Sequence, residues 1–309
     1  MHRADDRMEP ESFIATQAKA ETAGVLVKGL FHAASSTISY VVVDDATSHC
    51  VVIDSVLDFN PRSGRTGTEH VDCIVEYINE SGLSLDWILE THAHADHLSG
   101  AQVLKERYDA PIVIGEQIRT VQRKMKRLFN LGDDFAVDGS QFDRLVAEGD
   151  RIRFGRQCLR VMHTPGHTPA CVTYLTEGHA FIGDTLFMPD YGTARADFPS
   201  GSAKTLYRSI QRIFDLPANT RLYMCHDYRP GGRAPKWEST ITDEMERNIH
   251  IRKGMPEADF VRMREARDHI LELPVNILPA LQVNIRAGKL PPPEANGVSY
   301  LKIPLNVFR

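Results

Sequence analysis

The chain has 309 residues, of which 42% are hydrophobic and 25% are charged, and its formal net charge is −5. This composition is typical of a globular protein and lacks the basic excess that nucleic-acid binding requires. No apolar run reaches the roughly 18 residues of a membrane helix, and the start, "MHRADDRMEPESF", has no apolar signal core. We therefore predict a cytoplasmic protein with no nucleic-acid or membrane partner. Five widely spaced cysteines without a C-x-x-C pair indicate neither a disulfide framework nor a cysteine-type zinc site.

The first half of the chain alternates short apolar runs with amphipathic ones, after a polar arm at residues 1–23. Runs rich in β-branched residues predict strands at 24–32, 37–45, 49–54, 85–91 and 111–115. Helical spacing of apolar residues predicts helices at 71–82, 100–108 and 116–130. Residues 60–70, rich in Gly, Ser, Thr and Arg, are predicted to form a loop.

The second half repeats the order of strands followed by a helix. Strands are predicted at 151–155, 158–164, 170–176, 179–184 and 221–227, and helices at 202–216 and 238–273. The Pro- and Asn-rich tail at 277–306 is predicted to pack over the surface without forming a further domain. Two packed sheets with helices outside would fit this α/β order.

Three histidines and an aspartate lie within six residues of the stretch "THAHADHLSG". Because residues i and i+2 of an extended stretch share a side, His92 and His94 can face one ion. Asp96 and His97 lie one turn further on and can face a second position. Neutral imidazole nitrogen and carboxylate oxygen suit Zn, Fe, Mn or Ni, so the sequence predicts a metal site here.

Further metal-ligand candidates follow other predicted strands. His163 and His167 lie in "HTPGHT", Asp184 ends "FIGD", and His226 lies in "YMCHDY". The Pro-Gly pair between His163 and His167 prevents a helical ligand pair, so we expect one ligand, His167, while His163 holds the loop by a hydrogen bond. Six of the 13 histidines thus fall in three short segments that follow strands.

"THAHADH", "HTPGHT", "GD" and "HD", in this order, resemble the motifs of the metallo-β-lactamase fold superfamily over residues 24–250. The resemblance implies an αββα sandwich of two mixed β-sheets flanked by helices. Residues 24–250 would form the catalytic domain, 1–23 an N-terminal arm, and 251–309 a helical and Pro-rich extension packed on the same domain.

A second stretch, "GTARADF" at 192–198, resembles the signature of persulfide dioxygenases through Arg195, Asp197 and Phe198. "HTPGHTPACVTYL" resembles the dioxygenase form too, and the 60–70 loop and long tail resemble bacterial β-lactamase-like hydrolases. Glyoxalase II, a related family, has a Lys-Phe pair after Gly-Cys-Gly that is missing here. The resemblance implies oxidation of glutathione persulfide by O2 to sulfite and glutathione at one Fe(II) per chain.

Carried onto this sequence, the resemblance implies a role for each motif residue. The iron ligands match His92, His167 and Asp184. The residues left as hydrogen-bonding neighbours or ligands of a second metal are His94, Asp96, His97 and His226. The substrate contacts implied are Arg195, Tyr228 and Arg233, the last as a cation near a glutathione carboxylate. No protein nucleophile is required.

Two other interpretations stay open at this point. A thioester hydrolase of glyoxalase II type would use all seven motif residues to hold two zinc ions and a bridging hydroxide. A metal-bound binding or sensing module would have no turnover. The sequence also leaves open the physiological thiol and the formation of a homodimer.

Overall fold

The computed structural model describes residues 24–307, so the predicted arm at 1–23 lies outside the described part of the chain. In chain order the strands are β1 (Val25–His32), β2 (Thr37–Asp44), β3 (His49–Ile53), β4 (Val56–Asn60), β5 (Arg65–Gly67), β6 (Ser84–Leu89), β7 (Leu98–Ser99), β8 (Ile112–Gly115), β9 (Arg144–Val146), β10 (Arg151–Phe154), β11 (Gln157–His163), β12 (Val172–Thr176), β13 (His179–Phe181), β14 (Arg221–Tyr223) and β15 (Glu238–Thr240). The helices are α1 (Glu69–Glu80), α2 (Ala101–Tyr108), α3 (Ile118–Leu128), α4 (Ala203–Phe214), α5 (Ile241–Arg247), α6 (Glu257–Asp268) and α7 (Ile277–Asn284).

Two six-stranded mixed sheets form the centre of the molecule. The first has the order β1-β2-β3-β6-β8-β9, antiparallel as far as β3 and parallel from there on. The second has the order β10-β11-β12-β13-β14-β15, in which only β13 and β14 are parallel. A small third sheet joins β5, β4 and β7. Both large sheets are therefore mixed, as the resemblance implied.

The two large sheets pack face to face, and the alternation of side chains along β2 shows how. Ile38, Tyr40 and Val42 point into the core shared with the second sheet, whereas Val41 and Val43 point to the opposite face. Successive strand residues point to opposite faces, so a fully apolar strand can serve two cores. The all-buried run "ISYVVV" follows from this position between layers.

Helices cover both outer faces of the sheet pair. Buried residues of α1, α2, α3 and α7 pack with the outer face of the first sheet, and those of α4, α5 and α6 with that of the second. The α4 sequence begins at an N-cap, Ser202, whose hydroxyl accepts a hydrogen bond from the Thr205 amide. The resulting four layers confirm the predicted αββα sandwich.

Three parts of the chain differ from the sequence-based prediction. The predicted loop at 60–70 contains β5, which pairs with β4 in a short hairpin. The predicted helical segment at 238–273 begins with β15 and breaks between α5 and α6. The predicted surface tail contains α7, where Pro279 occupies the first turn and costs no intrahelical hydrogen bond. A proline is compatible with a helix in its first turn, so the prolines of this segment do not exclude a helix.

Residues 251–307 contribute to both outer layers, since α6 packs beside α4 and α7 packs against β7. We therefore propose that this segment is an extension of the same domain. None of the helices described in residues 24–307 is both long and apolar enough to cross a membrane.

Candidate metal centre

The ligand candidates come together at one edge of the sandwich, beyond the carboxyl ends of four strands. The "THAHADH" segment follows β6, the turn with His167 follows β11, Asp184 follows β13, and His226 follows β14. Strand ends are fixed by the sheets, while the loops beyond them are free of ladder hydrogen bonds and can turn side chains inward. The fold thus gathers segments that are far apart in sequence.

His92, His167 and Asp184 form the first ligand group, with one ligand atom from each residue within 4.8 Å of the others. The Nε2 atoms of His92 and His167 lie 3.9 and 3.7 Å from Asp184 Oδ2. All three side chains are buried. The structure thus brings together the three predicted iron ligands.

Neighbouring groups fix the two imidazoles of the first ligand group. Thr91 Oγ1 lies 3.0 Å from His92 Nδ1, and His167 Nδ1 donates to the Arg195 carbonyl at 2.8 Å. These bonds direct both Nε2 atoms toward Asp184, as metal-ligating histidines require. Burial lowers the pKa of both His92 and His167, so both rings favour the neutral form that binds a metal.

The turn that carries His167 depends on a glycine and on His163. Gly166 has φ +147°, and a Cβ there would lie 2.3 Å from Leu206 Cα on α4, so only glycine fits. His163 Nε2 donates to the Pro169 carbonyl at 2.9 Å and closes the same turn. This is the loop-holding role that the sequence predicted for His163.

His94, Asp96, His97 and His226 form the second ligand group, again with ligand atoms within 4.8 Å of one another. Asp96 Oδ2 and Asp184 Oδ1 lie 3.2 and 3.3 Å from His226 Nε2. Neither contact has hydrogen-bond geometry, and these atoms count among the buried polar atoms without a partner in the described chain. Asp184 therefore lies between the two groups and could bridge two ions.

The unpartnered atoms test whether the site fits a metal. The buried atoms without a hydrogen bond here are His92 Nε2, His94 Nδ1, Asp96 Oδ2, His97 Nε2, Asp184 Oδ1 and His226 Nε2. Leaving a buried polar atom without a partner costs about 1–3 kcal/mol, so proteins rarely leave six in one place. The nitrogen and oxygen donors fit a borderline divalent ion such as Fe(II) or Zn(II).

Two carboxylates that the motif search missed lie behind His94. Its Nε2 lies 3.0 Å from Asp54 Oδ1 and 3.4 Å from Glu90 Oε2. Burial alone would lower the pKa of His94, but the two carboxylates outweigh it and raise that pKa well above the usual range. Asp54 directly follows β3 and has a φ of +53°. An acidic residue at the end of an apolar strand is the sequence feature that could have indicated a role at the site.

A cavity of about 340 Å³ opens onto the metal centre. His167 and Asp184 of the first group line it, whereas Asp96 is the one residue of the second group that does. The cavity also reaches Arg195 and Tyr228, two of the predicted substrate contacts. A substrate in this cavity would therefore meet the first group at two of its three ligands.

The cavity-lining Arg195 is held firmly in place. Its guanidinium donates to both carboxylate oxygens of Asp197 at 2.7 and 2.8 Å and to the Glu272 carbonyl at 2.7 Å. It also lies over the Phe198 ring at 5.1 Å. The "ARADF" stretch is thus fixed both by its own Arg195–Asp197 pair and by the Glu272 carbonyl, and its backbone holds His167.

The other two predicted contacts differ from each other. Tyr228 stacks on Tyr191 with ring centroids 4.7 Å apart and forms an aromatic wall of the cavity. Arg233 lies outside the cavity lining, and it pairs with both Asp190 and Asp227 at 2.6 Å. The predicted pairing of Arg233 with a substrate carboxylate stays a prediction.

Known proteins resemble this chain in sequence and in fold. The family model of the metallo-beta-lactamase superfamily matches residues 35–226. A Burkholderia pseudomallei protein that carries the name metallo-hydrolase is 55% identical over 91% of this chain and 99% of its own length. An Agrobacterium fabrum protein named beta-lactamase hydrolase-like is 53% identical over 91% of this chain, which spans 65% of that relative's length.

Relatives named for oxidation are more distant in sequence. The mitochondrial persulfide dioxygenase ETHE1 of Mus musculus is 34% identical over 90% of this chain and 94% of its own. The crystal structure of ETHE1 from Myxococcus xanthus superposes with a TM-score of 0.69 at 30% identity, covering 85% of this chain and all of that one. The chain therefore belongs to the metallo-β-lactamase superfamily.

Proposed function

We propose that the protein is an iron-dependent dioxygenase that oxidises glutathione persulfide with O2 to sulfite and glutathione. The observation that carries this proposal is the first ligand group, where His92, His167 and Asp184 converge and the last two line the cavity. Two histidines and one carboxylate on one face of Fe(II) leave other coordination positions open. When bound, the iron supplies the redox chemistry between O2 and the persulfide sulfur.

The overall reaction balances without a protein nucleophile. The S–S bond of the persulfide breaks and glutathione leaves as the thiol. Sulfite receives both oxygen atoms of O2 and a third from water. The chain's part is to fix the ligands and to bind the substrate, with Tyr191 and Tyr228 as an apolar wall and Arg195 holding the loop beside His167.

Arg267 is our proposed partner for a substrate carboxylate. Arg195 and Arg264, which also line the cavity, are neutralised by Asp197 and Asp268. The guanidinium of Arg267 makes no ion pair or hydrogen bond with any residue in 24–307, yet it lines the same cavity. A free cation beside an apolar wall suits a thiol that carries carboxylates.

The comparisons support the oxidation hypothesis, because relatives named persulfide dioxygenase are about one-third identical in sequence to this chain over most of both chains. The experiment that tests it is an oxygen-electrode assay on Fe(II)-loaded protein with glutathione persulfide. We expect sulfite to form in equimolar ratio to the O2 consumed, and no turnover without O2 or with zinc in place of iron. Anaerobic cleavage of S-lactoylglutathione by the zinc form, with an iron form inert to persulfide, would overturn the proposal.

The second candidate is hydrolysis of a thioester at two metal ions. It is favoured by the unpartnered atoms of the second ligand group and by the hydrolase name of the B. pseudomallei relative. The two ligand groups, with Asp184 between them, would hold the ions, and the ions would supply an activated water for hydrolysis of the thioester. Elemental analysis separates the candidates, because the dioxygenase needs one iron per chain and the hydrolase two tightly held metals.

The predicted cytoplasmic location and homodimer stay predictions that cell fractionation and light scattering can check.

A further inference from the structure

The ligand loop, residues 90–97, connects β6 to β7 through the metal centre and is buried along most of its length. It supplies four of the seven ligand candidates, yet it belongs to no strand or helix. Buried backbone carbonyls outside regular structure need hydrogen-bond donors from elsewhere. The donors for three of these carbonyls come from the two ends of α7, almost two hundred residues further along the chain.

Asn284, the last residue of α7, makes the densest of these contacts. Its Nδ2 donates to the carbonyls of His94 and His97, each at 2.8 Å, and its Oδ1 accepts from the Ser99 amide at 2.8 Å. The side chain is 3% exposed. One planar amide therefore fixes the backbone at both ends of the turn that separates His94 from His97.

Asn276, at the other end of α7, holds the middle of that turn. Its Nδ2 donates to the Asp96 carbonyl at 3.1 Å. Between the two asparagines, Ala280 and Val283 pack with Leu98 in a small apolar cluster beside the loop. The helix thus lies along the ligand loop and bonds to it at both ends.

We propose that α7 is a clamp for the ligand loop and that Asn284 is a positioning residue of the metal centre. Removing its amide leaves two buried carbonyls and one buried amide without partners, and the turn between His94 and His97 must move to find new ones. Metal ligands must stay within about 0.2 Å of their distances, so a loop that shifts binds metal more weakly. The clamp rests on the metal site of the proposed function but not on the reaction performed there.

Gln282, which lies on the same helix as Asn284, provides a matched control. Gln282 is also buried, and its side-chain amide also makes three hydrogen bonds: Nε2 to the Leu278 and Lys302 carbonyls, and Oε1 from the Lys302 amide. The two bonds to Lys302 tie α7 to the tail, and none of the three reaches the ligand loop. Gln282→Ala therefore removes the same number of side-chain hydrogen bonds as Asn284→Ala, although these are only partly buried, without touching the proposed clamp.

The test compares full-length wild type, Asn284→Ala and Gln282→Ala as apo-proteins titrated with Zn(II) or Fe(II) against a competing chelator, with thermal unfolding measured beside it. We expect both variants to lower the melting temperature of the apo-protein, Gln282→Ala by less because its hydrogen bonds are only partly buried. Only Asn284→Ala should weaken metal binding, by roughly 10-fold, the lower end of the loss seen for supporting residues around metal sites.

Two results would overturn the clamp: unchanged metal affinity in Asn284→Ala, or an equal loss of affinity in both variants, which would mean that α7 acts through stability alone. If Asn284→Ala does not fold, Asn276→Ala decides the matter, since it removes one bond to the ligand loop. It should then weaken metal binding while Gln282→Ala does not. A wild-type protein that binds no metal would remove the proposed function as well, so the two failures remain distinguishable.

Discussion

Asp184 lies between the two ligand groups, which differ in what lies behind His92, His167 and His94. Behind the first group are neutral partners, the Thr91 hydroxyl at His92 and the Arg195 carbonyl at His167. Behind His94 of the second group are two carboxylates. Neutral partners leave an imidazole neutral, with a lone pair for a metal. Paired carboxylates behind a buried imidazole raise its pKa, and a carboxylate in this position also makes a metal-ligating histidine more basic.

The groups also differ in their access to substrate. The cavity touches His167 and Asp184 but reaches the second group only at Asp96. The same residue types at similar spacings can therefore have different chemistry, because charge behind a ligand and space in front of it are set by distant parts of the fold. This difference in access to the cavity is why one occupied site, and not two, is the basis of our proposal.

The largest effect is expected from Asp184→Ala, because Asp184 contacts both groups. The substitution removes the sole carboxylate of the first group and the bridge to His226. Metal affinity should fall by more than the roughly 10–100-fold that loss of a supporting residue costs. Chelator competition on the purified variant measures this. Metal binding close to that of wild type would show that neither group works as described.

A smaller effect should separate the groups directly. His92→Ala removes a ligand of the first group, whereas His94→Ala removes a residue of the second group, which the cavity reaches only at Asp96. The iron content of the purified variants should therefore be lower for His92→Ala than for His94→Ala. Equal losses, or two metals per chain in the active wild type, would favour a dinuclear site and the hydrolase.

Much of this arrangement could be predicted from local sequence. The strands at 37–45 and 85–91 and the ligand segments beyond them rest on β-branched runs and strand ends, which depend on nearby residues. The hydrogen bond of His163 followed from the Pro-Gly turn beside it. These features depend on residues that are close together in the sequence, and the structure places them where the sequence predicts.

What the sequence did not reveal depends on distant partners. Asp54 and Glu90 become relevant only because the fold brings them against His94. Asn284 lay in a tail whose prolines suggested surface chain, and its role depends on a loop far away in sequence. The sequence predicts Arg233 as a cation near a glutathione carboxylate, but the structure pairs its charge with two aspartates.

The cavity allows a third test, in which substrate binding is weakened while the metal content of the protein stays the same. Arg267→Ala should raise KM roughly 10-fold, the loss expected for one charge-assisted hydrogen bond, while iron content holds. Arg233→Ala serves as the matched control. The Arg233 guanidinium is already paired with Asp190 and Asp227, so this substitution should leave KM unchanged. Steady-state kinetics on both variants measure this. A raised KM in Arg233→Ala alone would restore the sequence-based assignment.

The smallest expected effect is on stability in acid, and it distinguishes the site histidines from a histidine that is buried elsewhere in the fold. His70 on α1 lies outside both groups, and its Nε2 donates to the Ser39 hydroxyl at 3.0 Å. Burial lowers the pKa of His70 to about 4, against about 6.5 in an unfolded chain. As pH falls from 6.5 to 4, the unfolded state takes up this proton before the folded state does, so stability decreases across that window by at most about 3 kcal/mol.

His70→Gln should remove that part of the acid slope while metal affinity at neutral pH stays unchanged. Urea unfolding of the apo-protein between pH 7 and pH 4 measures the slope, and chelator competition measures the affinity. The remaining slope belongs to other groups, including the buried site histidines, and bound metal should steepen it because their protonation also releases the ion. If the variant loses stability with acid as wild type does, His70 is not the neutral buried group that its surroundings indicate.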